Sequence, residues 1–116
     1  MQIKILPSLL AADMGNLETA VKEAELCGGD ALHVDIMDGH FVTNISMGPA
    51  VVEMAHKVAG IPLNVHLMIT NPHENDFVNR FIKAGAASLF IHVEVKCDTA
   101  GLLRQIKFGL WNQIQF

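Results

Sequence analysis

The chain has 116 residues, of which 51% are hydrophobic, so it can bury the core of one modest domain. Eight basic residues against twelve acidic ones give a net charge of -4, which offers no basic surface to the phosphate backbone of a nucleic acid. The opening residues MQIKILPSLLAAD form an apolar run that is too short and too interrupted by Pro7 for a signal peptide or a membrane span.

Cysteine usage favours a reducing compartment. Cys27 and Cys97 lack the spacing of a metal or redox motif and are interpreted as free thiols. We therefore expect a cytoplasmic protein that binds neither nucleic acid nor membrane.

In chain order, β-branched runs alternate with segments of helical period, and Gly or Pro stands at most junctions. The predicted strands are IKIL at 3–6, ALHVDIM at 31–37, PLNVHLMI at 62–69 and SLFIHVEV at 88–95. The apolar stripes of the predicted helices are Leu17, Val21 and Ala24; Val51, Ala55 and Val58; Phe77, Val78, Phe81 and Ile82; and Leu102, Leu103 and Ile106. This alternation predicts an α/β fold with a parallel sheet, because strands joined by crossover helices run in the same direction.

Four βα units leave the inner face of the sheet and the edge of its fourth strand uncovered. We therefore interpret residues 1–107 as half of a (β/α)8 TIM barrel, and we expect self-association, most simply as a homo-oligomer, through the open sheet. Residues 108–116, FGLWNQIQF, do not continue the pattern. We interpret them as a divergent tail, either an ordinary extension packed on the helices or a truncated or frame-shifted end.

Polar side chains interrupt two of the predicted strands with a period of two. His33 and Asp35 alternate with apolar neighbours, so both point to one face of the sheet about 7 Å apart, and His66 has the same parity in the next run. Two imidazoles and a carboxylate suit Zn²⁺, Fe²⁺, Mn²⁺ or Co²⁺ and leave positions open for a substrate. The alternative is a pair of hydrogen-bonded core histidines, but an unpaired Asp35 beside them would be costly to bury.

The segment 38–48, DGHFVTNISMG, follows the strand that carries this pair. Because active sites of α/β barrels lie at the carboxyl ends of the strands, we expect it to form a loop over the site. Asp38 is either a second acid or, as we prefer, the residue that holds this loop through a turn with Gly39.

Several further side chains share the same end or face of the sheet. Met37, Met47 and Met68 are expected to form an apolar floor. His92 and Glu94 have the parity to face inward and are kept as supporting or structural candidates.

These residues carry a family resemblance. LHVDIMDGHFVTNIS at 32–46 is similar to the first signature of the ribulose-phosphate 3-epimerase family. LPSLLAADMGNL at 6–17 resembles the family's opening strand and loop, VHLMITNP at 65–72 its third strand, and AGAASLFIHVE at 84–94 its fourth. The resemblance covers residues 1 to about 107.

The resemblance implies a barrel enzyme of the pentose phosphate pathway that interconverts D-ribulose 5-phosphate and D-xylulose 5-phosphate with one divalent metal ion. It also implies that Asp35 is a metal ligand and the catalytic proton acceptor, and that His33 and His66 are metal ligands. The substrate-contacting residues that it implies are Ser8, His66, Met37 and Met68.

The sequence departs from the family in two ways. Thr43 stands where the family commonly has Pro, and the family's four later βα units, with a fourth metal ligand and a second catalytic Asp, have no counterpart in residues 1–116. With one base, we expect weak or no epimerisation by this chain alone. The alternatives are a hexulose-phosphate epimerase, for example of allulose 6-phosphate, and a non-catalytic paralogue that binds metal or self-associates.

Overall fold

The computed structural model describes residues 2–114, with side chains as far as Trp111. Met1 of the expected half-barrel and residues 115 and 116 of the expected tail therefore lie outside the described residues. Two short 3-10 helices, Leu9–Ala11 and Met14–Asn16, precede the regular elements. These are α1 Leu17–Leu26, β1 Leu32–Met37, α2 Pro49–Val58, β2 Leu63–Met68, α3 Phe77–Ala84, β3 Ser88–Ile91 and α4 Thr99–Ile114.

Helix boundaries follow from local chemistry. Pro49 opens α2, where its missing N–H would have had no partner in the helix. Asp98 caps α4 by accepting the N–H of Gly101 at 3.0 Å. Gly85 closes α3 with φ of 111°, a left-handed conformation that glycine adopts without a steric penalty. These helices therefore begin and end at residues whose chemistry favours a helix terminus.

The described strands form one parallel sheet in the order β1-β2-β3. One face of it is apolar: Leu32, Val34, Leu63, Val65 and Leu67 are essentially inaccessible to solvent. They belong to a single core together with the buried faces of the helices, which include Val21, Val52, Ala55, Val78 and Phe81. The opposite face carries the polar side chains of the strands, all of them only partly buried. The predicted α/β half-barrel architecture is confirmed.

The predicted strand at 3–6 differs from what is observed, because no strand is formed there. The segment instead lies along the outer edge of β1, where the carbonyl groups of Ile5 and Pro7 accept the N–H groups of Asp30 and His33 at 2.8 and 2.9 Å. Pro7 has no N–H to return, and the N–H of Ile5 goes to the Asp30 carboxylate. A regular ladder therefore cannot form, although the edge of β1 is covered.

The fourth predicted run is also shorter than expected. β3 ends at Ile91, and the chain turns at Val93 and Glu94 before α4. At the other end of α4, the helix continues past Lys107 to Ile114 without an interruption at the expected start of the tail. None of the described helices is long and apolar enough to cross a lipid bilayer.

Candidate metal and substrate site

The polar face of the sheet brings the three predicted ligands together. The parallel register of β1 and β2 pairs Asp35 directly with His66, and His33 lies two residues before Asp35 on the same face. Parity had predicted the common face, and the register adds that the carboxylate and the second imidazole are immediate neighbours. All three side chains are only partly buried, with 13% to 29% of their surface exposed.

The nitrogen and oxygen atoms of this cluster converge on one point. Nε2 of His33 and Nδ1 of His66 lie 3.0 and 3.2 Å from the same Asp35 oxygen, Oδ1. One donor atom from each residue lies within 4.8 Å of the others. Two nitrogens and a carboxylate oxygen at this spacing fit a divalent cation of the zinc, iron, manganese or cobalt class.

Asp35 is held by a residue from the beginning of the chain. The hydroxyl of Ser8 donates to Asp35 Oδ2 at 2.7 Å, while its oxygen also accepts the N–H of Leu10. Burial raises the pKa of Asp35. The Ser8 hydrogen bond and the neighbouring imidazoles of His33 and His66 together lower it by more, so the pKa lies below its ordinary value. The carboxylate is therefore ionised at neutral pH and has one oxygen fixed by Ser8.

A family model described as the Ribulose-phosphate 3 epimerase family matches residues 4–111. The chain belongs to this family. The sequence resemblance is thus confirmed, and the match extends beyond Lys107, where the resemblance was expected to end.

Curated relatives agree with this assignment. Ribulose-phosphate 3-epimerase of Bacillus subtilis is 47% identical over 92 residues, which are 79% of this chain and 42% of the relative. The chloroplastic enzyme of Arabidopsis thaliana is 48% identical over 79% of this chain and 32% of its own length. The cytoplasmic isoform of Oryza sativa is 42% identical over 90% of this chain and 45% of the relative. The chain therefore spans less than half the length of these relatives.

In this epimerase-family chain, the predicted methionines also share the site's face. Met37 and Met68 are register partners, each two residues beyond a ligand candidate towards the carboxyl end of its strand. Met68 is buried and Met37 is partly exposed, with its sulfur 3.7 Å from the amide nitrogen of Asn44. Met47 packs instead against the hydrophobic core. Two of the three methionines thus line the site end of the polar face.

The loop after β1 is tied down by Asp38, as preferred from the sequence. One Asp38 oxygen accepts the N–H groups of His40 and Phe41, both at 2.8 Å, and the other accepts the N–H of Thr70 at 2.8 Å. Burial raises the pKa of Asp38, but these backbone hydrogen bonds and the Thr70 side chain lower it below its ordinary value. The carboxylate therefore closes a turn and joins the carboxyl ends of β1 and β2.

One contribution to the site was missed from the sequence, and a second was given only a supporting role. Ser46 folds back on β1, where its hydroxyl accepts the N–H of Met37 at 2.9 Å and donates to the carbonyl of Asp35. His92, kept only as a supporting candidate, places its Nε2 atom 2.7 Å from Nε2 of His66. Ser46 carried no sequence signal beyond its place in the loop, whereas the parity of His92 had put it on the correct face.

Proposed function

We propose that this chain takes part in metal-dependent epimerisation at C3 of a ketose phosphate, interconverting D-ribulose 5-phosphate and D-xylulose 5-phosphate. The observation that carries the proposal is the convergence of His33, Asp35 and His66 in a chain of the ribulose-phosphate 3-epimerase family. Family membership alone would leave the residues unassigned, and the cluster alone would leave the reaction open. Together they support a reaction and the side chains that perform it.

His33, Asp35 and His66 would hold one divalent metal ion, of zinc, iron, manganese or cobalt. When bound, such an ion acts as a Lewis acid and stabilises the negative charge that develops on the substrate oxygens. The acidity of the carbon next to the ketone is thereby raised, so that a weak base can remove its proton.

Asp35 is the base in this proposal. Its carboxylate takes the proton from C3, leaving the electron pair in an enediolate of the substrate. Ser8 keeps Oδ2 of Asp35 in one orientation through the 2.7 Å hydrogen bond, and its hydroxyl would also contact the sugar phosphate. His66 would contact the substrate beside its ligand role, and Met37 and Met68 would exclude water from the enediolate as an apolar lining.

Inversion requires that the returning proton arrive on the opposite face of the enediolate. Among the residues that the structure describes, Asp35 is the one carboxylate of the candidate metal cluster. We therefore expect the 116 residues alone to exchange the C3 proton with solvent much faster than they invert C3. Returning the proton from Asp35 regenerates the starting sugar.

The test is deuterium uptake at C3 of D-ribulose 5-phosphate in D2O, followed by NMR alongside formation of D-xylulose 5-phosphate. Metal-dependent exchange that is lost in Asp35→Asn is the expected result, and Asp30→Asn is the matched control outside the cluster. Inversion that keeps pace with exchange would contradict the single-base argument. An absence of both exchange and metal binding would overturn the proposed function.

The sugar itself needs its own comparison. A hexulose phosphate such as allulose 6-phosphate presents the same ketone and the same neighbouring C–H to Asp35. Exchange rates measured with both sugar phosphates therefore identify the preferred one. A preference of tenfold or more for the hexulose would replace the pentulose in this proposal.

Besides binding a sugar phosphate, we propose that the chain associates with a second copy of itself through the open sheet. The proposed setting is the cytoplasm, where both thiols stay free. In the described part of the chain β3 is paired along one edge, and Val93 just beyond it is 86% exposed. Light scattering of Val93→Lys should give a smaller species than the wild type, whereas Leu26→Lys, on the 85% exposed Leu26 of α1, should not. A monomeric wild type that binds no metal would contradict both the proposed self-association and the proposed metal site.

We also propose a divergent tail at residues 108–116, although the family model extends to residue 111. The exposed side chains of Phe108 and Trp111, with 69% and 59% of their surface accessible, support it, because neither finds cover in the described chain. The downstream coding sequence, read in all three frames, tests it. A further barrel strand in another frame would identify residues 108–116 as a frame-shifted end.

A further inference from the structure

Beyond the three ligand candidates, a second pair of imidazoles makes a close contact. Nε2 of His66 and Nε2 of His92 are 2.7 Å apart, while the ring centres are 4.9 Å apart and the ring planes differ by 22°. The separation of the ring centres exceeds the separation of the nitrogens by about twice the distance from an imidazole centre to its own nitrogen. The nitrogens therefore lie between the centres, so the rings meet edge to edge, as an N–H···N hydrogen bond requires.

This contact constrains where the protons are. Two nitrogens at 2.7 Å share one proton, because two N–H groups would repel and two lone pairs would leave the contact without a donor. His66 presents its other nitrogen, Nδ1, to Asp35 and the candidate metal position. A cation bound at Nδ1 would replace the proton that the metal-free chain places between Nδ1 and Asp35, and neutral His66 would then carry its proton on Nε2. His92 Nε2 is then the acceptor of that proton.

Glu94 lies on the far side of His92 and favours the matching tautomer. Its Oε2 atom lies 3.5 Å from Nδ1 of His92, so a proton on that nitrogen faces a carboxylate. A proton on Nδ1 leaves Nε2 of neutral His92 free to accept from His66. Glu94 is 65% exposed and contributes orientation more than binding energy.

Packing holds the His92 ring in place from another direction. The ring of Phe41, from the loop that Asp38 ties down, lies 4.7 Å from the His92 ring at an angle of 49°. His92 retains only 29% of its side-chain surface. An aromatic neighbour and a hydrogen-bond partner together leave the imidazole little freedom to turn away from His66.

We propose that His92 is a positioning residue for the metal site, accepting the Nε2 proton of His66 so that Nδ1 of His66 is available as a ligand, with Glu94 orienting His92. This inference rests on the proposed function, because it assumes that His66 binds the cation through Nδ1. Neighbouring hydrogen-bond acceptors of this kind change metal affinity by about 10–100-fold.

The experiment measures Zn²⁺ affinity of the full chain by competition with a chromophoric chelator. His92→Phe keeps an aromatic ring but removes the acceptor, and we expect affinity to fall by about 10–100-fold. His92→Gln restores an acceptor oxygen and should recover most of the loss. His73→Phe applies the same change to a histidine outside the cluster and should leave affinity unchanged.

Imidazole ¹⁵N spectra of the zinc-loaded wild type provide a readout independent of the variants. The expected pattern has the proton of His92 on Nδ1 and none on Nε2, and it holds even where His92→Phe fails to fold. A proton on Nε2 of His92, or zinc affinity within twofold of wild type in a folded His92→Phe, would overturn the inference alone. A wild type that binds no zinc would overturn the proposed function as well.

Discussion

Replacing Asp38 with alanine tests how the loop over the site is held. The substitution removes three acceptor contacts, from the N–H groups of His40, Phe41 and Thr70. A hydrogen bond to a charged group contributes about 1.5–3 kcal/mol when it is protected from water. Because water can replace Asp38 at this partly exposed turn, each contact is discounted to about 0.5–1 kcal/mol. We therefore expect a loss of about 2 kcal/mol in the free energy of unfolding.

Urea unfolding followed by circular dichroism measures this loss. With a slope of about 2 kcal/mol per molar urea, the midpoint for Asp38→Ala should fall by about 1 M. The matched control is Asp13→Ala, which removes one N–H contact, from Gly15 at 2.9 Å, and should cost about a third as much. Equal losses for the two variants would refute the argument that Asp38 closes the turn with two bonds and ties it to the end of β2 with a third.

The same stabilisation should depend on pH in a direction set by the Asp38 carboxyl group. Its pKa is lowered in the folded chain, so the carboxylate contributes fully above the unfolded-state pKa of about 3.9. The contribution is lost as pH falls through the folded-state pKa. The difference between wild type and Asp38→Ala should thus be constant near neutrality and shrink below about pH 4. A difference that persists undiminished in acid would exclude the ionised form as its source.

Two further changes probe the site and the frame around it. Ser8→Ala should raise the pKa of Asp35, measured by carboxyl ¹³C titration of the metal-free chain, whereas Ser8→Thr keeps a hydroxyl and should largely preserve it; an unchanged pKa in Ser8→Ala would remove Ser8 from this role. Gly85→Ala should lower the thermal stability of the chain more than Gly28→Ala does. Both glycines have positive φ, but of the two only Gly85 has a neighbour, the His56 ring, that an added Cβ would collide with. Equal losses would attribute the whole effect to φ.

The alternation of polar and apolar residues explains why the candidate ligand cluster could be predicted from sequence. A period of two fixes the face of a strand on which His33, Asp35 and His66 lie, whatever the neighbouring strand does. It does not fix register. The pairing of Asp35 with His66 depends on how the segment between β1 and β2 packs, and the Ser8 hydroxyl reaches Asp35 only through the irregular path at the start of the chain. These contacts required the three-dimensional structure.

Element ends were predicted less well than faces, for physical reasons that the structure makes visible. The run at 3–6 has the β-branched composition of a strand, but the missing N–H of Pro7 prevents a ladder. The alternation of SLFIHVEV continues past Ile91, yet the chain turns there and still leaves His92 against His66. Alternation reports where side chains point and carries no information about where backbone pairing stops.

The contacts of the site are spaced almost evenly along the sequence. Ser8 reaches Asp35 across 27 positions, Asp35 reaches His66 across 31, and His66 reaches His92 across 26. Each of these three links therefore joins one βα unit to the next, whereas the contact between His33 and Asp35 forms within one strand. Because such non-local contacts form only after the loop-closure entropy has been overcome, the cluster should assemble late in folding. A spectroscopic probe on any one link would report the docking of a particular pair of units.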